Sequence, residues 1–204
     1  EERAFYNRIH WDVELDLPSL GGFKEVGGIH YRADHDLGSH QKFSKQNLSV
    51  GEERKFIPHV LELSFGIDRH IYALLEIGYT KEKERVVLKL PRILSPFDAG
   101  VFPLVERDGL PEKAREVFQM LREAGFKVFY DSSGSIGRRY RRMDEIGVAA
   151  CITIDYESLD KDDCTLRDRD SMAQVRVKID DLPSALRRFL KGEDLSKLGK
   201  PISS

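Results

Sequence analysis

The run 148-VAACITID-155 constrains the fold of this chain more than any other stretch. As a strand it is apolar on both faces up to its closing aspartate, so it needs cover on both sides. Its neighbours supply that cover. Residues 99–105 read as a short apolar strand. Pro111 sits at a favoured first helical position, and Ala114, Val117, Phe118, Leu121 and Ala124 recur at helical spacing until Gly125 ends the helix. Residues 126–131 return as a strand, and 135–146 form a second helix. The pattern then changes to a polar–apolar hairpin, 163-DCTLRDRD-170 with 174-QVRVKID-180. In it Val175, Val177 and Ile179 face inward, and Arg176 and Lys178 outward. Residues 182–190 make a closing helix, and the tail from Lys191 is expected to fray. The sum is a roughly five-stranded mixed α/β domain over residues 96–204.

Residues 1–95 lack that alternation and read as α+β. A strand at 23-FKEVGGIHYR-32 is followed by a polar link over 33–55, then a strand at 57-IPHVLELSF-65 and a helix over 67–77. A strand near 85-RVVLKL-90 leads to Pro91 and Pro96, which mark the expected domain boundary.

Two-residue periodicity in 60-VLELSF-65 puts Glu62 and Ser64 on one face, and packs Leu61, Leu63 and Phe65 on the other. The same period puts Glu25 beside Gly27, where a missing side chain leaves room for a small ligand. Two carboxylates on neighbouring strands suit an ammonium group. The next helix is expected to bury Ile67, Ile71, Leu74 and Leu75, with Arg69 opposite them. An arginine in a first turn opposes the helix dipole but is well placed to meet a phosphate. The same spacing equally describes a half-exposed sheet edge with a solvated Glu62 and a surface Arg69.

The helix in 131-DSSGSIGRRYRRMDEIG-147 carries its arginines in front and its acids behind, the reverse of what a helix dipole favours. Each misplaced charge costs about 0.3–1 kcal/mol. The like-charged Arg138/Arg142 pair adds about 0.2–0.5 kcal/mol, which Arg141 with Glu145 gives back. Gly137 adds about 0.5–1 kcal/mol against the helix. An anion must therefore be supplied. Asp131, Asp155, Asp168 or Asp170 could supply it from within, making the arginines clamps; RNA phosphates could supply it from outside. Arg167, Arg169, Arg176 and Lys178 would extend an RNA-facing surface. Tyr140 fits either a base-stacking role or a buried stripe with Ile136 and Met143.

Three segments resemble one family. The segment 62-ELSFGIDRHIYALLE-76 resembles motif 3 of the class II aminoacyl-tRNA synthetases, and its Glu-x-Ser-Phe-Gly-x-x-Arg form after 57-IPHV-60 resembles the glycyl enzymes. The segment 25-EVGGIHYRADHDLGSH-40 is similar to that family's Glu-x-x-Gly-Ile-x-x-Arg-x-Asp-x-Asp-Leu-x-x-His. The segment 130-YDSSGSIGRRYRRMDEIG-147, followed by 151-CITID-155, resembles the anticodon-binding domain of the archaeal and eukaryotic members. The resemblance implies that residues 1–95 are a remnant of the antiparallel catalytic sheet and that residues 96–204 bind the anticodon. It implies glycine–tRNA ligation: ATP-dependent activation of glycine and its transfer to tRNA(Gly). Glu62, Ser64, Gly66 and Glu25 would hold glycine. Glu25, Val26, Gly66, Ile67, Asp68 and Arg69 would meet ATP. Arg138, Arg139, Arg142, Arg167 and Arg169 would face RNA. Magnesium would arrive with ATP, without a dedicated protein site, and the full-length protein would be a homodimer.

This sequence departs from the family at Leu63, where proline is usual, and at 148-VAAC-151, where a proline usually precedes the strand. Motifs 1 and 2 cannot fit in the 24 residues before Glu25, so this is expected to be the C-terminal portion of a longer synthetase, unable alone to form glycyl-adenylate. The opening Glu1-Glu2-Arg3, without methionine, points the same way. A non-catalytic RNA-binding accessory protein is the alternative, and the retained Glu25, Glu62, Ser64 and Arg69 argue against it. The small pocket and the arginine helix argue against a prolyl or threonyl specificity.

Composition adds exclusions. A net charge of −2 does not advertise nucleic-acid binding by the whole chain, which leaves only a local basic cluster. No apolar run approaches the ~20 residues of a membrane span, and a cytoplasmic location without membrane contact is expected. Cys151 and Cys164 lack metal-ligand spacing and read as buried reduced thiols.

Overall fold

Residues 5–202 are described by the computed structural model; Glu1-Glu2-Arg3 lies outside them. Contacts divide the chain into two compact units, Glu1–Glu76 and Ile77–Ser204.

In the first unit, alternating residues build a three-stranded antiparallel sheet in the order β1 (Ile9–Leu17), β2 (Gly22–Ala33), β3 (Val60–Phe65). A turn over Pro18–Leu20 joins the first two strands, and Gly21 closes it with φ 82°, a conformation suited to glycine. Helix α1 (His35–Ser44) occupies part of the expected polar link, and α2 (Ile67–Gly78) follows β3 directly. No residue of α1 is buried, so no apolar stripe announced it.

Register decides which side chains share a face. Asp12 lies across from Gly28 and Gly28 from Ser64, while His10 lies across from His30 and His30 from Glu62. All of these share one face. Leu61, Leu63 and Phe65 lie on the other with Trp11, and the expectation that they pack is not met: they are 64%, 64%, 51% and 65% exposed. Ile67, Ile71, Leu74 and Leu75 of α2, expected to be buried, are exposed too; the helix buries Ala73 and Gly78 instead. Periodicity located these faces correctly, but among the described residues nothing covers them.

The second unit begins with a small hairpin of β4 (Tyr79–Lys81) and β5 (Val86–Leu88). The expected boundary lay near Pro91 and Pro96. Contacts move it to residue 76, because Val87 is fully buried and the Arg85 guanidinium reaches Asp144 and the carbonyls of Arg169 and Asp170. Next come β6 (Ala99–Pro103), α3 (Leu110–Glu123), β7 (Val128–Tyr130), α4 (Ile136–Glu145), β8 (Ala150–Ile154), α5 (Tyr156–Lys161), β9 (Asp163–Asp168), β10 (Gln174–Lys178), α6 (Leu182–Leu190) and β11 (Lys200–Pro201). The sheet order is β11-β10-β9-β8-β6-β7. Strand β6 runs parallel to β7 and β8, and the remaining pairs are antiparallel.

The five expected strands are thus six. The tail does not fray: Leu195 and Leu198 are buried, and β11 pairs with β10. The unforeseen α5 is held by a capping box in which Asp155 and Ser158 exchange hydrogen bonds.

Strand β8 is covered on both faces, as its composition demands. Ala150, Ile152 and Ile154 join one core with Val117, Leu121 and Leu186, whereas Cys151 joins a second with Phe102, Met143 and Tyr140. Burial pushes the Cys151 thiol up to about 12, so it stays protonated and unreactive. Gly100 of β6 lies in that second core, where a Cβ would stand 2.5 Å from the Phe102 ring and 3.2 Å from Met143. We expect Gly100→Ala to cost about 1–3 kcal/mol by overpacking, measured as a lowered urea midpoint at unchanged m-value.

Candidate amino-acid and RNA sites

Helix α2 carries its charged first turn onto strand β2. Arg69 Nη1 donates to the Glu25 carbonyl oxygen at 2.7 Å and lies 3.5 Å from the Glu25 carboxylate. The two line a hollow of about 530 Å³ together with Val26, Asp68 and Tyr72. Its rim is tied to α2: Glu76 accepts from the Ser19 amide at 2.9 Å and from the Ser19 hydroxyl at 2.7 Å. Arg69 remains 61% exposed, with most of its donors free to meet an arriving anion.

A bulge sets the direction of Glu25. Val13 lies across from Gly27, but Glu14 lies across from Glu25, so Val26 is the extra residue. The period of two had put Glu25 in step with Gly27. The bulge returns it to the face of Asp12, Gly28 and Glu62.

Glu62 and Ser64 share that face but do not line the hollow of Glu25 and Arg69. Glu62 belongs to a second cluster. Arg32 Nη1 donates to it at 2.6 Å, while Arg32 Nε and Nη2 grip Asp36 at 2.7 and 2.6 Å. The hydrogen bonds from Arg32 hold the Asp36 carboxyl below its usual range. The expected cup shared by Glu25 and Glu62 is therefore two adjoining clusters, each with its own arginine. Gly66 and Ile67 are exposed and line neither cluster; Ile67 is 76% exposed. Sequence reasoning assigned no role to Arg32 or Asp36, although their i, i+4 spacing and their place in the Arg-x-Asp-x-Asp segment were signals.

In the second unit most of these arginines find their partners within the protein. Arg139 is 2% exposed and donates to the carbonyls of Gly134, at 2.8 Å, and Pro103. Arg167 is 3% exposed and donates to Asp144 at 2.9 Å. Arg169 is 3% exposed and donates to the Gly147 carbonyl at 2.9 Å and the Leu90 carbonyl at 2.8 Å. These three were expected to face RNA, and burial turns them into clamps of the fold. Arg176, expected to face outward, is held by Asp155 and Asp163. Arg142 is divided: 41% exposed, it pairs with Asp131 and donates to the Ser133 carbonyl at 2.6 Å. Arg138, the remaining candidate, is exposed. It lines an open groove of about 470 Å³ with Arg141, Tyr140 and Gln174. Tyr140 is mostly core, its hydroxyl 2.7 Å from that of Thr153.

A family model described as the anticodon binding domain matches residues 98–189. The glycine–tRNA ligase of Archaeoglobus fulgidus is 48% identical across 98% of this chain and 48% of its own length. That of Aeropyrum pernix is 38% identical across 99% of this chain and 48% of its own, and that of Borrelia hermsii 41% across 92% and 44%. The chain spans about half the length of the curated relatives it matches. A prolyl-tRNA synthetase from Cryptosporidium parvum, solved with L-proline and AMP, has the same fold, with a TM-score of 0.71 at 20% identity over 97% of this chain and 41% of its own. Over 92% or more of its sequence this chain is thus homologous to about half of each of these glycine–tRNA ligases, and its second unit carries the match to the anticodon binding domain.

Proposed function

We propose that this chain serves a glycine–tRNA ligase, contributing the phosphate-facing end of the adenylation site and the anticodon-binding domain. The observation that carries the reading is Arg69 standing over Glu25 at the mouth of a hollow, on a strand–helix junction that also bears Glu62 and Ser64. Glycine's carboxylate attacks the α-phosphate of ATP and expels pyrophosphate, and the glycyl group is then passed from the adenylate to tRNA(Gly), releasing AMP. Such a reaction needs position and charge neutralisation more than proton transfer. Arg69 offers its unused donors to the phosphate. Glu62 has lone pairs left beyond its bond to Arg32, enough to accept the glycine ammonium beside the Ser64 hydroxyl. Magnesium would neutralise phosphate charge, entering with ATP. Glu25 and Asp68 are the carboxylates of the hollow, and magnesium prefers one or two carboxylates alongside phosphate oxygens.

The exposed apolar face of Trp11, Leu61, Leu63 and Phe65 supports a larger catalytic domain that covers it, in keeping with relatives about twice as long. The complete protein is proposed to work as a homodimer in the cytoplasm, with residues 96–204 on the anticodon. The test is ATP–pyrophosphate exchange by a complete protein containing this chain. Exchange should depend on glycine and be absent with proline, and this chain alone should show none. Exchange driven equally by proline would overturn the reading.

On the RNA side, Arg138→Glu should weaken binding of tRNA(Gly) about tenfold and lower its salt dependence by about one phosphate contact. Filter binding at several salt concentrations measures both. Unchanged affinity would remove Arg138 from the interface.

A further inference from the structure

One face of the first unit's sheet carries a cluster that neither glycine nor ATP accounts for: His10 and Asp12 from β1 with His30 from β2. His10 Nε2 lies 2.8 Å and His30 Nε2 4.0 Å from the same Asp12 oxygen, and the three atoms all fall within 4.8 Å of one another. The register explains the convergence, since His10 lies across from His30 and Asp12 from Gly28.

Three features around the cluster point to a missing occupant. The His30 Nε2 atom is buried and has no hydrogen-bond partner, although it points into the cluster. Each histidine is backed on its other nitrogen, as metal-bound imidazoles usually are. His30 Nδ1 lies 3.8 Å from Glu62, and His10 Nδ1 lies 3.0 Å from the buried Asn7 amide, whose own oxygen lacks a partner. Turning that amide over lets its oxygen accept from His10 Nδ1–H and frees Nε2 as a lone-pair donor. Finally, the His30 ring lies over Gly28, where a Cβ would stand 2.5 Å from Nε2. Glycine there leaves the ring room to reach Asp12.

We propose that His10, Asp12 and His30 bind a divalent first-row transition cation, of which zinc is the best match. Two imidazoles and a carboxylate are a familiar three-ligand set for zinc, leaving a fourth position for water or a ligand. Metal–ligand distances of about 2.0–2.1 Å set tetrahedral donors about 3.3 Å apart, so His30 Nε2 must draw in from 4.0 Å while His10 Nε2 and Asp12, now 2.8 Å apart, open slightly. The cation bridges β1 to β2 and fixes His30 against Glu62. None of the three ligands is a residue assigned to glycine or ATP, although Glu62, which backs His30, is shared with the glycine reading.

Cobalt(II) titration of this chain without a histidine tag tests it, since bound cobalt in a three-ligand site absorbs visibly. One equivalent should bind with a new visible band. His30→Ala, and Asp12→Asn, which keeps the side chain's shape, should each weaken binding at least about tenfold while circular dichroism stays unchanged. His59→Ala, outside the cluster, should leave it intact, and zinc should displace the cobalt. No visible band, or a band that survives both cluster substitutions, would overturn the proposal.

Discussion

Asp144→Ala is expected to destabilise the second unit by about 3–5 kcal/mol. Asp144 is fully buried in the last turn of α4 and accepts from Arg167 at 2.9 Å and Arg85 at 3.0 Å. The side chains of those two arginines are only 4% and 3% exposed. Removing the carboxylate strands the Arg167 guanidinium away from water and leaves Arg85 with Glu82 as its remaining carboxylate, a costly way to break a buried ion pair. Dipole polarity acts in the same direction, because the two cations sit at the C-terminal end of α4, where positive charge is favoured. The acid that looks misplaced at the back of this helix is the anchor through which the cations reach it. Urea unfolding followed by circular dichroism should show the loss as a lowered midpoint. A loss under 1 kcal/mol would mean that water already screens the cluster. Replacing Asp144, Arg85 and Arg167 together with apolar residues of similar size should recover much of the loss, since the penalty lies in the unpaired charge rather than in the absent bridge.

The same cluster shows where sequence reading stops. Strand β8 was legible because an uninterrupted apolar run has one comfortable environment, and it occupies that environment. Arginines have no such signature. Arg138 and Arg139 are neighbours on one helix, yet the first lines an open groove and the second bonds the carbonyls of Gly134 and Pro103. Which of two adjacent arginines turns inward depends on helix phase and on carbonyls distant in sequence. The bulge at Val26 was equally hidden, since a period of two carries no mark for an extra residue, and that residue decides which face Glu25 shares. Leu61, Leu63 and Phe65 were correctly grouped as a face, but apolarity alone does not say whether this chain covers it. Composition legislates what a face requires; only contacts tell what it receives.

Arg69 allows a sharp separation of catalytic from structural roles. Its side chain is 61% exposed, and its ties within the protein are the hydrogen bond to the Glu25 carbonyl and the loose approach to that residue's carboxylate. Surface substitutions of this kind change stability by about 0.5 kcal/mol or less, so Arg69→Ala should leave the fold and its unfolding midpoint nearly intact. In the complete enzyme the same substitution should lower glycine-dependent ATP–pyrophosphate exchange about 10²–10³-fold, the range for losing one preorganised donor to transition-state charge. The loss should fall mainly on kcat, because the charge to be neutralised grows as the α-phosphate is attacked. Arg69→Lys keeps the charge but loses the planar fork, so it should recover only part of the rate. The alternative is that Arg69 merely steadies β2 through the Glu25 carbonyl. In that case lysine, which can donate to the same carbonyl, restores nearly full exchange, and alanine raises KM for ATP without lowering kcat.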